Sequence, residues 1–298
     1  MEQQQSSFSL LPGYRTLWKP WTRRSFPLAI RSGSNGEAWV TLRDASALVR
    51  LSAAGEEMAR WRLPPWPHTT HVDRFGVVWT GLTRSGAIAG VDPITTDVTL
   101  VSLRPSAEIL GLTCGRETIH VVDAGNRQLW SVDATTHLAV PRDIPGAIRP
   151  DIPVVATDGS VWITDTERAV IMVWHPPNGE WDELPVVDGT RLIVREPTGE
   201  LVWCTTTRRP SLIAIDVATR KTQEIPLPGV GFGLDASSEG LIACCIPDQE
   251  AVVVLRSGEI VARVDLPPGS RPHDASWTGD DLLVTCPGIS AVTRITIT

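Results

Sequence analysis

The sequence predicts an all-β fold, a seven-bladed β-propeller with four-stranded blades. Three observations predict it: a recurring turn-and-tryptophan segment, a spacing near 41 residues, and short apolar runs between Gly, Asp and Pro turns. The segment recurs as NGEAWVT (Asn35 to Thr41), RFGVVWT (Arg74 to Thr80), TDGSVWIT (Thr157 to Thr164) and PTGELVWCT (Pro197 to Thr205). Trp39, Trp79, Trp162 and Trp203 stand 40, 83 and 41 residues apart, so the middle interval holds one further unit, RETIHVVD, with His120 in the tryptophan position. The same register continues through SEGLIACC, with Ala243 in that position, and GDDLLVTC, with Val284.

Each unit then repeats its own order. A polar turn follows the tryptophan strand, then a β-rich run such as ALVRLS, GAIAGVD, QLWSVD, VIMVWH, SLIAID, AVVVLR or AVTRITIT, then in most units a fourth run such as MARWRL, VTLVSL or IVARVDL. Alternation dominates and no stretch carries a 3.6-residue period, which excludes a helical layer. The seventh unit stops after its third run, while YRTLWKP (residues 14–20) precedes the first unit and belongs to none. An N-terminal strand over about 14–20 would complete the last blade and remove the open sheet edge. Residues 1–298 are thus expected to form one domain, with 1–13 a flexible N-terminal segment. Periodic tryptophans read as wedges between blades. Trp277, four residues after His273 and off the register, reads equally as packing or as pocket lining.

Composition narrows the function. The chain has 27 Lys and Arg against 34 Asp and Glu, a net charge of −7, without the clustered basic stripe that nucleic acid requires. No run approaches the roughly 20 apolar residues of a membrane-spanning helix, and the N-terminus lacks a secretory pattern. A cytoplasmic monomer acting on a small-molecule substrate, without nucleic acid or membrane, is the expectation. Five cysteines without a C-x-x-C pair read as reduced core thiols. Hydrolase-elbow, zincin, P-loop and dinucleotide motifs do not occur; GVGFG (Gly229 to Gly233) has the wrong spacing.

Because the innermost strands start at one face, residues eleven before each tryptophan position should ring the channel mouth: Leu28, His68, Ile109, Asp151, Leu192, Phe232 and His273. Residues three after it should reach the same face: Leu42, Leu82, Asp123, Asp165, Thr206, Ile246 and Pro287. Two imidazoles and an acid among apolar neighbours describe a small-molecule pocket. His273 and His68 are the candidate acid/base groups, since imidazole titrates near neutrality. Arg271 could anchor a carboxylate or enolate oxygen, or be a solvated loop residue. Asp151, Asp123 and Asp165 could bind a divalent cation such as Mg²⁺ through oxygens, or cap turn amides; Glu108 and Arg191 are further candidates for substrate contact, with Phe232 and Trp277. His71 and His120 read as strand residues, His137 and His175 as outer-loop residues.

The unit P-H-x-x-x-x-D-x-x-G-x-x-W-T, followed by a strand ending D-P, in PHTTHVDRFGVVWTGLTRSGAIAGVDP (Pro67 to Pro93), resembles the streptogramin B lyase family, also called virginiamycin B lyase. The resemblance runs through all seven units. It implies a propeller that opens a cyclic depsipeptide by elimination at its ester bond, with a magnesium ion and a histidine base. His273, in the Pro-His pair of SRPHDASWTGDD, matches the family's catalytic histidine. Arg271 and Pro287 stand where the family has glutamates, and Phe232 where it has a second histidine. Elimination, cyclisation or isomerisation of a natural-product-type molecule by histidine chemistry, without a redox cofactor, is one expectation. A non-catalytic propeller that binds a ligand or protein on its top face is the other.

Overall fold

In a computed structural model, residues 12–18, 21, 25–33, 36–176 and 178–297 are described. They form seven four-stranded antiparallel sheets. The innermost strands are Pro27–Ser32, Pro67–Val72, Ile109–Cys114, Pro150–Val155, Thr190–Arg195, Leu234–Ala236 and Ala275–Thr278, for blades one to seven. Each packs on the next, and the seventh packs on the first, so the ring is closed. Among the described residues, no helix is long and apolar enough to cross a membrane.

The closing strand is Pro12–Trp18, antiparallel to Ala291–Ile297 at the outer edge of blade seven. It begins two residues before the expected 14–20 and ends at Trp18; residues 19–20 lie outside the described set. Of the segment 1–13, residues 1–11 lie outside it as well, while Pro12 and Gly13 are strand residues.

The repeated tryptophans are the wedges the sequence predicts. Trp79, Trp162 and Trp203 are almost completely buried, and each indole N–H has an acceptor: Asp73 at 2.8 Å, Ser160 Oγ at 2.8 Å and Glu196 at 2.6 Å. Each ring lies against the following blade, Trp79 with Ile109 and Leu112, Trp203 with Leu234 and Ile242. In blade seven this position is held by Leu283, not Val284. Ser276 pairs with Leu283 across a hairpin one residue shorter than the Arg31–Trp39 hairpin of blade one. Leu283 accordingly packs toward blade one and Val284 back toward blade six. The equivalent of Ile246 is then Cys286 rather than Pro287, each closing its strand before a short 3₁₀ turn. His175 is the last residue of the strand Val170–His175 rather than a loop residue.

At the axis, buried threonines tie neighbouring blades. Thr41 Oγ1 accepts the Ala29 N–H at 2.9 Å and donates to the His68 carbonyl at 3.2 Å. Thr164 accepts from Ile152 at 3.3 Å and donates to the Arg191 carbonyl at 2.5 Å. Thr285 accepts from Asp274 at 2.9 Å and donates to the Leu28 carbonyl at 3.1 Å, which carries the tie across the ring closure. All three hydroxyls are buried, so removing one strands at least the backbone N–H that donates to it, at about 1–3 kcal/mol. Thr285→Val is expected to lower stability by that amount in urea unfolding, and Thr285→Ser to retain most of it. Equal stability of the valine variant and the parent would remove the tie from the account of closure.

Candidate functional site

In blades one to five the innermost strand carries a bulge, with register shifts at Pro27/Ile30, Pro67/Thr70, Ile109/Gly111, Pro150/Pro153 and Thr190/Ile193. A bulge re-aims side chains out of the ordinary alternation. Counting three residues back from the partner of each tryptophan position gives the ring as built: Leu28, His68, Leu110, Asp151, Arg191, Phe232 and His273. Of the expected members, Ile109 and Leu192 stand one place off this register, although Leu192 still lines the mouth cavity beside Arg191. The first hairpin of blade three is one residue shorter than that of blade one (Thr113 pairs with His120), and that of blade five one residue longer (Val194 pairs with Trp203). Arg191 thereby becomes a ring residue.

These side chains form a connected arc. Arg191 donates through Nε to Asp151 at 2.9 Å and lies over the Phe232 ring at 4.8 Å. Phe232 in turn packs on His273 with ring centroids 4.4 Å apart. His273 Nδ1 lies 3.2 Å from the Leu28 carbonyl, and His68 Nδ1 lies 3.0 Å from the Leu110 carbonyl. A carbonyl only accepts, so in the neutral imidazoles Nδ1 carries the proton and Nε2 keeps its lone pair. Burial holds the His273 imidazole down, to about 3, with His68 and Arg191 adding to the effect. Burial also lowers His68, opposed by the Asp151 charge and reinforced by Arg191. Both rings are therefore neutral near pH 7.

The mouth cavity measures about 60 Å³ and is lined by Leu28, His68, Arg191, Phe232, His273 and Asp274, among others. A water needs roughly 10–15 Å³ on this measure, so the cavity admits a handful of waters or one functional group. Anything larger would extend over the rim. There, Phe26 and Trp66 hold left-handed backbone at φ 46° and 64°, a strain of about 1–3 kcal/mol each. Arg43 stacks on Phe26 at 3.7 Å and Arg84 on Trp66 at 3.4 Å.

Below the mouth is a charged layer that sequence reasoning missed. Asp274 accepts from Arg31 at 3.0 Å and from the Ile30 and Ala275 N–H groups, each at 3.0 Å. Asp235 accepts the Trp277 N–H at 2.8 Å. Burial raises Asp235 to about 6, opposed by Arg31 and reinforced by Asp274. His71, in the same layer, is held near 4 by burial and by Arg31. The only early signal was that Asp274 follows His273.

Other expected site residues are placed elsewhere. Trp277 is buried between blades six and seven rather than at the mouth. Glu108 forms a two-pronged ion pair with Arg149, at 2.7 and 2.9 Å, and Arg271 is an exposed rim residue; neither lines the cavity. Asp123 accepts from Glu108 N–H and twice from Asn126, and Asp165 from the Ile148, Arg149 and Glu167 N–H groups. Both carboxylates are saturated as turn caps. Among the described residues no group of three or more His, Cys, Asp or Glu side chains is placed to hold a metal. At the mouth, two imidazoles with Nδ1 held on carbonyls and an Asp151 held by Arg191 do not make the oxygen-rich donor set a magnesium ion takes.

No protein-family model matches the chain, and no curated protein matches it. Solved structures do. A streptogramin B lyase superimposes with a TM-score of 0.89 at 16% identity, covering 98% of this chain and 100% of that one. A catalytically inactive histidine-to-alanine variant of virginiamycin B lyase from Staphylococcus aureus, with quinupristin, gives 0.88 at 13% identity, covering 96% and 99%. The β-propeller domain of Cps50 (Swd1) from Myceliophteria thermophila gives 0.81 at 10% identity, covering 97% and 100%. At these identities the likeness is one of fold, a seven-bladed propeller shared with streptogramin B lyases and with other propellers.

The two kinds of buried group have opposite pH signatures. The Asp235 carboxyl holds its proton more tightly in the folded state, near 6, than in the unfolded chain, near 3.9. Its ionisation therefore weakens the fold, by an amount absent below about pH 4 and complete above about pH 6. Asp235→Asn, which keeps an acceptor for Trp277, is expected to melt higher than the parent at pH 8 and equally at pH 4. His273 stabilises fully above about pH 6.5 and loses that contribution as pH falls toward about 3. His273→Gln should therefore flatten the acid limb of a melting-temperature profile; an unchanged limb would remove the buried neutral imidazole.

Proposed function

We propose that this protein is a propeller enzyme that works as a cytoplasmic monomer on a small or medium organic molecule of natural-product type, using histidine acid/base chemistry without a redox cofactor. The observation that carries the reading is the pair of neutral imidazoles, each with Nδ1 locked on a carbonyl, facing one apolar cavity that also holds Arg191. The reaction class that suits these groups is proton removal beside a carbonyl, followed by elimination of a C–O bond or by isomerisation or cyclisation. In the elimination, a C–H bond breaks and its proton passes to an Nε2 lone pair. The electron pair becomes the C=C bond, and the C–O bond breaks with its electrons on the leaving oxygen. No oxidant is needed.

His68 is the better proton acceptor, because Asp151 supports its charged form and no carboxylate does so for His273. The resemblance to streptogramin B lyases favours His273. Arg191 uses Nε for Asp151, so its two terminal amino groups are available to an enolate oxygen or leaving carboxylate. The small cavity and the depressed imidazoles favour one second reading, a propeller that binds such a molecule without converting it.

Incubation with a small-molecule extract of the source organism, followed by mass spectrometry of free and protein-bound fractions, separates the two. The expected result is a product formed by the parent and slowed about 100-fold or more by His68→Gln or His273→Gln, with Arg191→Gln also impaired and all variants folded. A molecule retained unchanged by parent and variants alike would make this a binding propeller.

A further inference from the structure

Between blades three and four, away from the mouth, lies a groove of about 490 Å³ whose walls differ in character. Blade three contributes His120, Ser131 and Arg142; blade four contributes Trp174, Val155 and Pro176. The polar character of one wall follows from a break in the repeat at blade three. Blades one, two, four and five place a tryptophan at the wedge position, and blade three places His120. A smaller, polar ring there leaves space that an indole would fill.

The polar wall also carries Arg116 and the exposed Glu117, which pairs with Arg74 at 3.6 Å, and its half-buried cation, Arg142, is undersatisfied. The Arg142 guanidinium lies 3.6 Å from the centre of the Trp174 ring, and its buried Nε has no hydrogen-bond partner. Burial lowers Arg142 and no acidic neighbour opposes that effect. This contrasts with Arg50, Arg149, Arg168, Arg191 and Arg294, each paired with a carboxylate. Ser131 Oγ lies 3.4 Å from His120 Nδ1, and His120 meets the edge of Trp174 at 5.8 Å. His120 is neutral, held near 4 by burial and by Arg142. When Ser131 donates to Nδ1, the ring proton sits on Nε2. The His120 ring and the Arg142 fork then both offer donors, opposite an apolar wall. A desolvated, stacked guanidinium without an anion is matched by a planar carboxylate, which takes two N–H groups at once.

We infer that this groove is a second ligand site, for a small organic carboxylate whose oxygens meet Arg142 and His120 and whose apolar part lies on Trp174, Val155 and Pro176. It is independent of the reaction at the mouth. The test uses 4-fluorobenzoate as the probe, read by fluorine NMR line broadening on the full-length protein. Millimolar probe is expected to broaden with the parent and with Arg191→Gln. Arg142→Gln should weaken binding about tenfold or more, as loss of a charge-assisted pair does, while Arg142→Lys recovers part of it. Ser131→Ala, which leaves the charge in place, should weaken it by a smaller factor. Absence of broadening at 10 mM, broadening indifferent to Arg142→Gln, loss of broadening in Arg191→Gln, or displacement by an equal concentration of sulfate would each overturn the proposal. Melting temperatures of the variants equal to the parent's would show that each reading comes from a folded protein.

Discussion

A propeller has to hold its blades together where they converge, and the backbone cannot do this alone. Each sheet completes its hydrogen bonds within itself, and neighbouring sheets diverge outward from the axis. The tie between blades at the axis is supplied by side chains: a buried threonine hydroxyl that accepts from its own innermost strand and donates to a carbonyl of the next. The carbonyls it holds belong to Leu28, His68 and Arg191, residues of the mouth itself. The scaffold bond and the site therefore share atoms. A change in blade packing moves the mouth, and the mouth inherits the rigidity of the core.

That rigidity explains how the mouth keeps uncharged imidazoles beside a cation. An imidazole in an apolar ring loses its proton because burial disfavours charge, and each Nδ1–H is fixed by a carbonyl from the adjoining blade. Arg191 stays in the same ring because Asp151, itself almost fully buried, balances it. Asp151 is the buried member of the pair, while the Arg191 side chain keeps about 30% of its surface exposed toward the mouth. One layer down the balance is different. Arg31 faces both Asp274 and Asp235, and a single guanidinium cannot fully compensate two buried carboxylates. The weaker claimant, Asp235, gives way by holding its proton to higher pH.

The repeat was legible because every blade needs the same wedge at the same place, and tryptophan fills it in four of seven. Blade number, strand order and closure by an N-terminal strand follow from that periodicity. His68, Phe232 and Asp151 were legible as mouth residues because their hairpins keep the common length, and His273 because a hairpin one residue shorter is cancelled by counting from Val284 rather than Leu283. Arg191 and Leu110 were displaced because a one-residue change in a surface hairpin is invisible to a fixed spacing, yet it rotates the strand by one place. Arg31, Asp235 and Asp274 carried no local signal, since their relation exists only after blades one, six and seven meet. Trp277 misled for a related reason: proximity in sequence to His273 is not proximity along the axis when four strand residues separate opposite ends of a blade.

The departures from the lyase pattern can be read as one change of electrostatics. Where the family pattern has carboxylates flanking its histidine, this chain has Arg271 and Pro287, so that negative charge is absent at both positions. What replaces it is a guanidinium, Arg191, already balanced through Nε and open at its terminal nitrogens. Under the proposed reaction, developing oxyanion charge would be met by this fixed fork, whose dipoles need no reorganisation as the charge grows. At the rim Arg84 stacks on Trp66, while Arg43 stacks on Phe26 and is balanced by Asp44 at 2.9 Å. Under that same proposal, a substrate that develops negative charge is the one the free end of the Arg191 fork would meet.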